Sequence, residues 1–418
     1  MRTSTRPVAL ATSLSLLALL ILACGKTADA PVDAAAPETG PIKIGEYGSL
    51  TGATATFGIS TKRGVELALE DINITGVKGR QLVVIVEDDQ GKTPETQAAV
   101  QKLVDLDKVV AVIGEVASTR SLAGAPICQA AGIPMITPSS TNPKVTEVGD
   151  YIFRVCFIDP FQGEVMARFA HDKLGATRAA ILKDVKNDYS VGLSQFFADT
   201  FTKLGGEIVA EESYQEGEKD FKGVLTNIKG KNPQVIFVPG YYNDAGLVAQ
   251  QARELGITVP LLGGDGWESP KLIEIGGAAL EGCYYSNHYF GGSPNPRVQE
   301  FGQKYKAKYG EEPDSLAALA YDAASLLADA MRRAPSLKGS DLRDALAATK
   351  DFSGVCGTVN FDANRNPVKA AVILKIEGGK ITFDSDFGAT APAPAEPALA
   401  TPTPAEPAAE TAPAGASN

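Results

Sequence analysis

Residues Val235 to Trp267 read VIFVPGYYNDAGLVAQQARELGITVPLLGGDGW. Val235 to Val238 is a short apolar run that reads as a strand, Leu247 to Leu255 carries the helical period, and Leu261-Leu262 reads as a second strand. Strand, helix and strand in this order imply a parallel pair joined by a right-handed crossover. The chemically distinctive residues stand just past the strand ends. Tyr241 and Tyr242 follow the first strand, and Gly263-Gly264-Asp265-Gly266-Trp267 follows the second. Open parallel sheets bind ligands at the carboxyl ends of their strands, so this unit predicts both a fold and the edge of a site.

The same alternation extends in both directions. Upstream, strands are expected at Ile42–Ile44, Leu82–Val86, Val109–Ile113, Ile133–Thr137 and Tyr151–Phe157. Val65, Ala68, Leu69 and Ile72 mark a helix after the first strand. Leu82 to Val86 is continuously apolar, as in a strand covered on both faces. Thr93-Pro94-Glu95 reads as a helix start with Thr93 as the cap. Ala179–Leu182 and Ile208–Ala210 are strands of a second pass, with helices running to Leu204 and over Phe221–Ile228. Cys283–Tyr289 is a further strand, Pro296–Tyr309, Ser315–Arg333 and Lys338–Thr349 are helices, and a closing hairpin turns at Gly378-Gly379. Two passes of alternation imply an α/β protein of two similar Rossmann-like lobes with mostly parallel sheets. Ser118 and the run Ser139 to Thr141 stand at strand ends of the first pass, as Tyr241 and Asp265 do in the second.

The termini differ in kind. Arg2 and Arg6 precede an apolar run from Val8 to Ala23, and Ile21-Leu22-Ala23 leads into Cys24. A charged start, a short apolar core and small residues before a cut site predict a signal peptide over 1–23. The cysteine at that site resembles a lipobox, which implies lipidation at Cys24 and a flexible tether over 24–40. Residues 389–418 are nearly all Ala, Pro, Thr and Glu, without apolar periodicity, and read as a disordered tail.

Composition excludes several classes. There are 39 basic and 50 acidic residues, a net charge of −11, with no basic stripe, so nucleic acid is not an expected partner. Residues 41–388 are too many for one ordinary core and suit two domains. The two histidines, His171 and His288, do not share metal-ligand spacing, and neither phosphate-binding nor dinucleotide-binding glycine patterns stand at the right turns. No enzyme, metal or cofactor is expected. Four cysteines follow Cys24 and allow three pairings. Cys128–Cys156 with Cys283–Cys356 is the preferred one, against four buried free thiols.

Six segments in order, YGSLTGATATFG from Tyr47, VIGEVASTRS from Val112, IPMITPSSTNP from Ile133, KNDYSVG from Lys186, VPGYYNDAG from Val238 and GGDGW from Gly263, resemble the branched-chain amino-acid binding proteins. These are the type I periplasmic components of ABC importers. The resemblance implies two lobes joined by a three-segment hinge: residues 41–155 with 288–350, and 156–287 with 351–388. It implies a small amino-acid-like ligand, with Ser118, Thr141 and backbone at Ser139 on its carboxylate, backbone near Ser139 and Ser118 also serving the ammonium, and Ser140 among the ligand-binding residues. Asp265 receives the ammonium, Tyr241 closes over the ligand, and Phe57 and Tyr189 line the side-chain pocket, with Trp267 beside them. Asp265 stands where the best-known members carry Glu, one methylene longer. Each residue also has a structural reading: Ser118 as a helix cap, Thr141 and Asp265 as turn residues, Tyr241 and Trp267 as hinge packing, and Phe57 and Tyr189 as loop packing. The implied protein is a monomer at the periplasmic face, held to the membrane by its lipid alone and serving an ABC permease and ATPase complex. The alternatives are a ligand sensor for a separate signalling partner, or a transporter component for an amide or aromatic acid.

Overall fold

The computed structural model describes residues 40–388. The expected signal peptide, the Cys24 lipidation site, most of the tether and the tail lie outside the described residues.

The first lobe is built from β1 (Ile42–Gly48), α1 (Ala55–Asn73), β2 (Leu82–Asp88), α2 (Thr93–Asp105), β3 (Val112–Ile113), α3 (Ser118–Ala131), β4 (Met135–Thr137), α4 (Lys144–Glu147) and β5 (Ile152–Arg154). Its five strands run parallel in the order β2-β1-β3-β4-β5. The second lobe follows as α5 (Asp159–Arg168), β6 (Arg178–Asp184), α6 (Asp188–Lys203), β7 (Glu207–Tyr214), α7 (Lys222–Gly230), β8 (Val235–Phe237), α8 (Tyr242–Glu254), β9 (Leu261–Gly263), α9 (Pro270–Gly276) and β10 (Tyr284–Asn287). The chain then returns to the first lobe as α10 (Pro296–Tyr309), α11 (Ser315–Arg333), α12 (Gly339–Ala347) and the hairpin β11 (Phe352–Gly354) with β12 (Gly357–Val359). It ends in the second lobe with β13 (Ala371–Glu377) and β14 (Lys380–Phe387). The second sheet has the order β14-β13-β10-β9-β8-β6-β7, antiparallel only at β13 and β14. Three crossings therefore join the lobes: after β5, after β10 and after β12.

The short strands sort their side chains by the two-residue pleat. Val112, Met135 and Ile152 pack on the α2–α3 side of the first sheet, while Ile113, Ile136 and Phe153 pack on the α1–α11 side. Helix α11 forms because Asp314 caps it, its carboxylate accepting from Ala317 N at 2.8 Å, and because Arg332 and Arg333 suit its negative end. At the closing turn Gly378 and Gly379 both have positive φ, 59° and 71°, which residues with a Cβ rarely adopt.

Several expectations change. β2 is an edge strand and not one covered on both faces, with Val83 38% exposed. Thr93 is the first residue of α2, while Lys92 holds the N-cap and no side chain caps it. The third crossing falls after the β11–β12 hairpin and not at 351, because Val355, Cys356 and Val359 pack into the first lobe's core. The four cysteines are all free and buried. Cys128 and Cys156 pack on opposite faces of the first sheet, and Cys283 and Cys356 pack in the cores of different lobes, so neither expected pair meets.

Candidate ligand-binding site

The strand-end residues of both lobes meet in the cleft between them. Ser118 opens α3, directly after β3, so the helix's first N–H groups, which have no partner within the helix, face the cleft with the positive end of its dipole. The Ser118 hydroxyl caps nothing in its own helix and accepts from Asn142 N at 3.2 Å. Thr141 is buried, and its hydroxyl lies by the Asp159 carboxyl but makes no hydrogen bond of regular geometry. Both Asp159 oxygens also lack partners, and burial pushes this carboxyl well above the ordinary range.

The 139–143 loop is shaped from below by Arg154. Its guanidinium is fully buried and donates to Ser140 O at 2.5 Å, Asn142 O at 2.8 Å and Thr146 Oγ1 at 3.3 Å. The Ser140 hydroxyl is turned into the first lobe, against Glu115 O at 2.8 Å and Ser121 Oγ at 2.7 Å. Its backbone is engaged as well, the N–H donating to Thr137 Oγ1 at 2.9 Å and the carbonyl accepting from Arg154, so Ser140 keeps no free donor for a ligand, contrary to the expectation. Ser139 instead reaches the other lobe, with Oγ 3.4 Å from Asp265 Oδ2.

Asp265 is held by three groups. Gln162 Nε2 donates to Oδ1 at 2.8 Å, and Ser139 Oγ and His288 Nε2 stand 3.4 and 3.2 Å from Oδ2. An ionised carboxylate has about four lone-pair directions, so acceptor capacity remains on Oδ1 for a cationic donor. Gln162 on α5 and His288 just past β10 were not among the residues picked from the sequence. Neither neighbours Asp265 along the chain, and no strand-end pattern marks Gln162.

An aromatic wall stands opposite. Tyr189 and Tyr241 stack with ring centres 5.7 Å apart and 10° between planes, and Phe57 meets Tyr241 edge-on at 5.3 Å. Asn187 sets two of these rings, because its side chain caps α6 at Tyr189 N and Ser190 N and stands 3.5 Å from Tyr241 Oη. Phe57, Val116, Ala117 and Leu316 of the first lobe join the second lobe's apolar cluster with Tyr189, Tyr241 and Tyr242. The cleft thus has an apolar floor crossing between lobes. Trp267 lies elsewhere: its Nε1 donates to Val238 O at 2.9 Å and its ring packs against Gly263, so it is fully buried within the second lobe.

Polar contacts seal the rim. Tyr242 Oη and Asn243 Nδ2 both donate to Ala53 O, the first at 2.9 Å, and Ser269 Oγ lies 3.1 Å from Thr56 Oγ1. Asn142 Nδ2 donates to Asp188 O at 2.8 Å. One wall with a helix N-terminus and hydroxyls, a carboxylate opposite and an apolar floor can hold a small zwitterion with an apolar side chain. Among the described residues there is no grouping of His, Cys, Asp and Glu fit to hold a metal.

These features define a two-lobed α/β protein with a polar and aromatic cleft between its lobes, and comparison places it more narrowly. A model of the periplasmic binding protein family matches residues 41–380, and the chain belongs to that family. A leucine-binding protein, LivK, of Thermotoga maritima is 40% identical, with a TM-score of 0.81 over 83% of this chain and 99% of that one. LivJ of Streptococcus pneumoniae, a branched-chain amino-acid transporter substrate-binding protein solved with isoleucine, is 36% identical, with a TM-score of 0.78 over 83% and 98%. An amino acid binding protein of Pseudomonas aeruginosa is 33% identical over 70% of this chain and 79% of its own length. The chain is a type I periplasmic binding protein of the branched-chain amino-acid group of ABC transporter substrate-binding proteins. The family and these neighbours are binding proteins.

Proposed function

We propose that this protein captures leucine, isoleucine or valine in the cleft by closing its lobes about the hinge, and delivers it to an ABC permease and ATPase complex. The observation that carries the ligand reading is the opposition of Asp265 to Ser118 and Thr141. The α3 N-terminus, the Ser118 hydroxyl and the unpartnered Thr141 hydroxyl suit a carboxylate, and Asp265 suits an ammonium. The floor of Phe57, Val116, Ala117, Leu316 and Tyr241 suits a branched aliphatic side chain. Relatives bear on the same point: proteins 36% and 27% identical were solved with isoleucine and with leucine.

Closure is supported by the polarity of the rim. Its cross-lobe bonds involve Ala53, Thr56, Asp188, Tyr242 and Ser269, groups that water satisfies when the lobes part, so opening leaves none of them stranded. The ligand then supplies the bias toward the closed state. The family supports an extracytoplasmic location, and no helix among the described residues is long and apolar enough to cross a membrane. Attachment through a lipid on Cys24 and action as a monomer complete the reading. Titration calorimetry with leucine, isoleucine and valine tests it. One-to-one binding at micromolar or tighter, about −8 kcal/mol or more, is expected. Failure of all three to bind at millimolar concentration contradicts it.

A further inference from the structure

Asp265 is not alone at the ammonium end of the cleft. His288, one residue past β10 at the second crossing, has a side chain with no exposed surface, and Nε2 lies 3.2 Å from Asp265 Oδ2. Its ring stacks on Phe157 with centres 3.7 Å apart, and its backbone N donates to Asn287 Oδ1 at 2.8 Å. Nδ1 is buried and makes no hydrogen bond. The imidazole is therefore fixed in place with one polar partner, the carboxylate read above as the ammonium acceptor.

We propose that His288 is the positioning residue of Asp265 and makes ligand capture proton-dependent: the neutral ring orients the carboxylate for a cation, and the protonated ring takes up its charge. This rests on the amino-acid reading of the cleft. In the neutral state Nε2–H donates to Asp265 and Nδ1 keeps a free lone pair. Asp265 then carries its full negative charge, to be matched by the ligand's ammonium. A proton from solvent adds to Nδ1, where no acceptor stands. The pair becomes imidazolium and carboxylate, and an incoming ammonium meets a site with no net charge and a cation at close range in a medium where such repulsion is strong.

The surrounding charges point the same way. Burial holds the His288 pKa below the usual imidazole range, Asp265 opposes that shift, and Lys369, which donates to Val155 O at 2.9 Å, adds to it. Glu268, bonded at 2.8 Å to Asn287 Nδ2, and Asp159, which faces Asp265, are the other acids around this end of the site, and burial pushes the nearby Cys156 thiol up to about 12. At neutral pH the ring is thus uncharged and the site ready for a cation. Because ligand favours the neutral ring, ligand lowers the His288 pKa further, and by linkage affinity falls as pH falls through the pKa of the free protein.

The test measures leucine, isoleucine and valine affinity by calorimetry at about pH 7.5 and about pH 5 for the wild type and for His288→Gln, whose amide keeps an N–H donor but takes no proton. The two imidazoles of the wild type are followed by NMR titration with and without ligand, His171 serving as the internal reference. Expected are at least about fivefold weaker wild-type binding at the lower pH, a change under about twofold in His288→Gln, and a His288 titration displaced to lower pH by ligand. Equal pH dependence in both proteins, or a His288 titration that ligand leaves unmoved, overturns the inference while leaving the amino-acid reading intact. The NMR result decides alone if the variant does not fold. Failure of all three amino acids to bind the wild type at pH 7.5 overturns both.

Discussion

Individual side chains carry most of the chemistry. Asp265→Ala removes the ammonium's counter-charge, a charge-assisted contact of about 1.5–3 kcal/mol, so affinity for the amino acid is expected to fall roughly 10- to 150-fold. Melting of the free protein is expected to fall modestly, by about 1–3 kcal/mol of stability, because Gln162, Ser139 and the buried His288 all lose an acceptor. Calorimetry and a melting curve check both halves. Ser118→Ala, which deletes a hydroxyl but keeps the α3 amides, is expected to cost about tenfold in affinity. A different residue governs stability against pH. Glu46 on β1 is buried with Oε2 unpartnered, and burial, with Glu66 adding, raises its pKa to about 8. A carboxyl whose folded pKa exceeds its unfolded value contributes stability that is complete below the unfolded pKa and is lost as pH rises through the folded one. Glu46→Gln is therefore expected to flatten the fall in melting temperature between about pH 5 and pH 8, which melting scans across that range check. Ser118, Ser139, Thr141 and Asp265 were legible in the sequence because strand and helix alternation alone puts them at strand ends. Gln162 and His288 were not, because packing of α5 and β10 beside β9, and no local pattern, brings them to Asp265. Trp267 stood at the right address, but its indole N–H finds Val238 O inside its own lobe.

At the scale of elements, the helices were better specified than the strands. α10 and α11 begin and end where their caps and last-turn bases predict, with Asn295 and Asp314 at the caps. β3, β4 and β5 are only two or three residues long, shorter than the apolar runs that contain them: the first two runs begin before their ladders, at Val109 and Ile133, and the third continues past its own to Phe157. The edge position of β2 was hidden for a related reason: an apolar run reports burial, not which neighbours provide it. The turn after β9 is the element most exposed to steric error. A Cβ on Gly264 would stand 2.3 Å from Tyr189 Oη, 2.9 Å from Leu193 Cδ2 and 3.2 Å from Gln162 Nε2. Gly264→Ala is expected to displace Tyr189 and Gln162 together, destabilise by about 1–3 kcal/mol and weaken ligand binding beyond that of Ser118→Ala, as melting and calorimetry on the same sample show. Retention of full affinity would mean that neither displaced group meets the ligand.

For the whole molecule, the two-lobed division was legible because the alternation runs through twice. The place of the third crossing was not, since the β11–β12 hairpin is assigned to the first lobe only by Val355, Cys356 and Val359 entering its core. The same separation of cores keeps the cysteines apart, and unfolded, unreduced protein is expected to titrate thiols at Cys128, Cys156, Cys283 and Cys356. A ligand enclosed by both lobes stabilises the closed molecule as a unit, by about 2.7 kcal/mol at a hundred times its dissociation constant, or roughly 5–10 °C in melting temperature. The most direct test compares melting with leucine, isoleucine and valine against melting with the matching acids that lack the amino group, all at saturating concentration. At least one of the amino acids is expected to raise the melting temperature by that amount and its deaminated counterpart to leave it within about a degree. A rise with the deaminated acid and none with any amino acid would contradict the pairing of Asp265 with an ammonium on which the account rests.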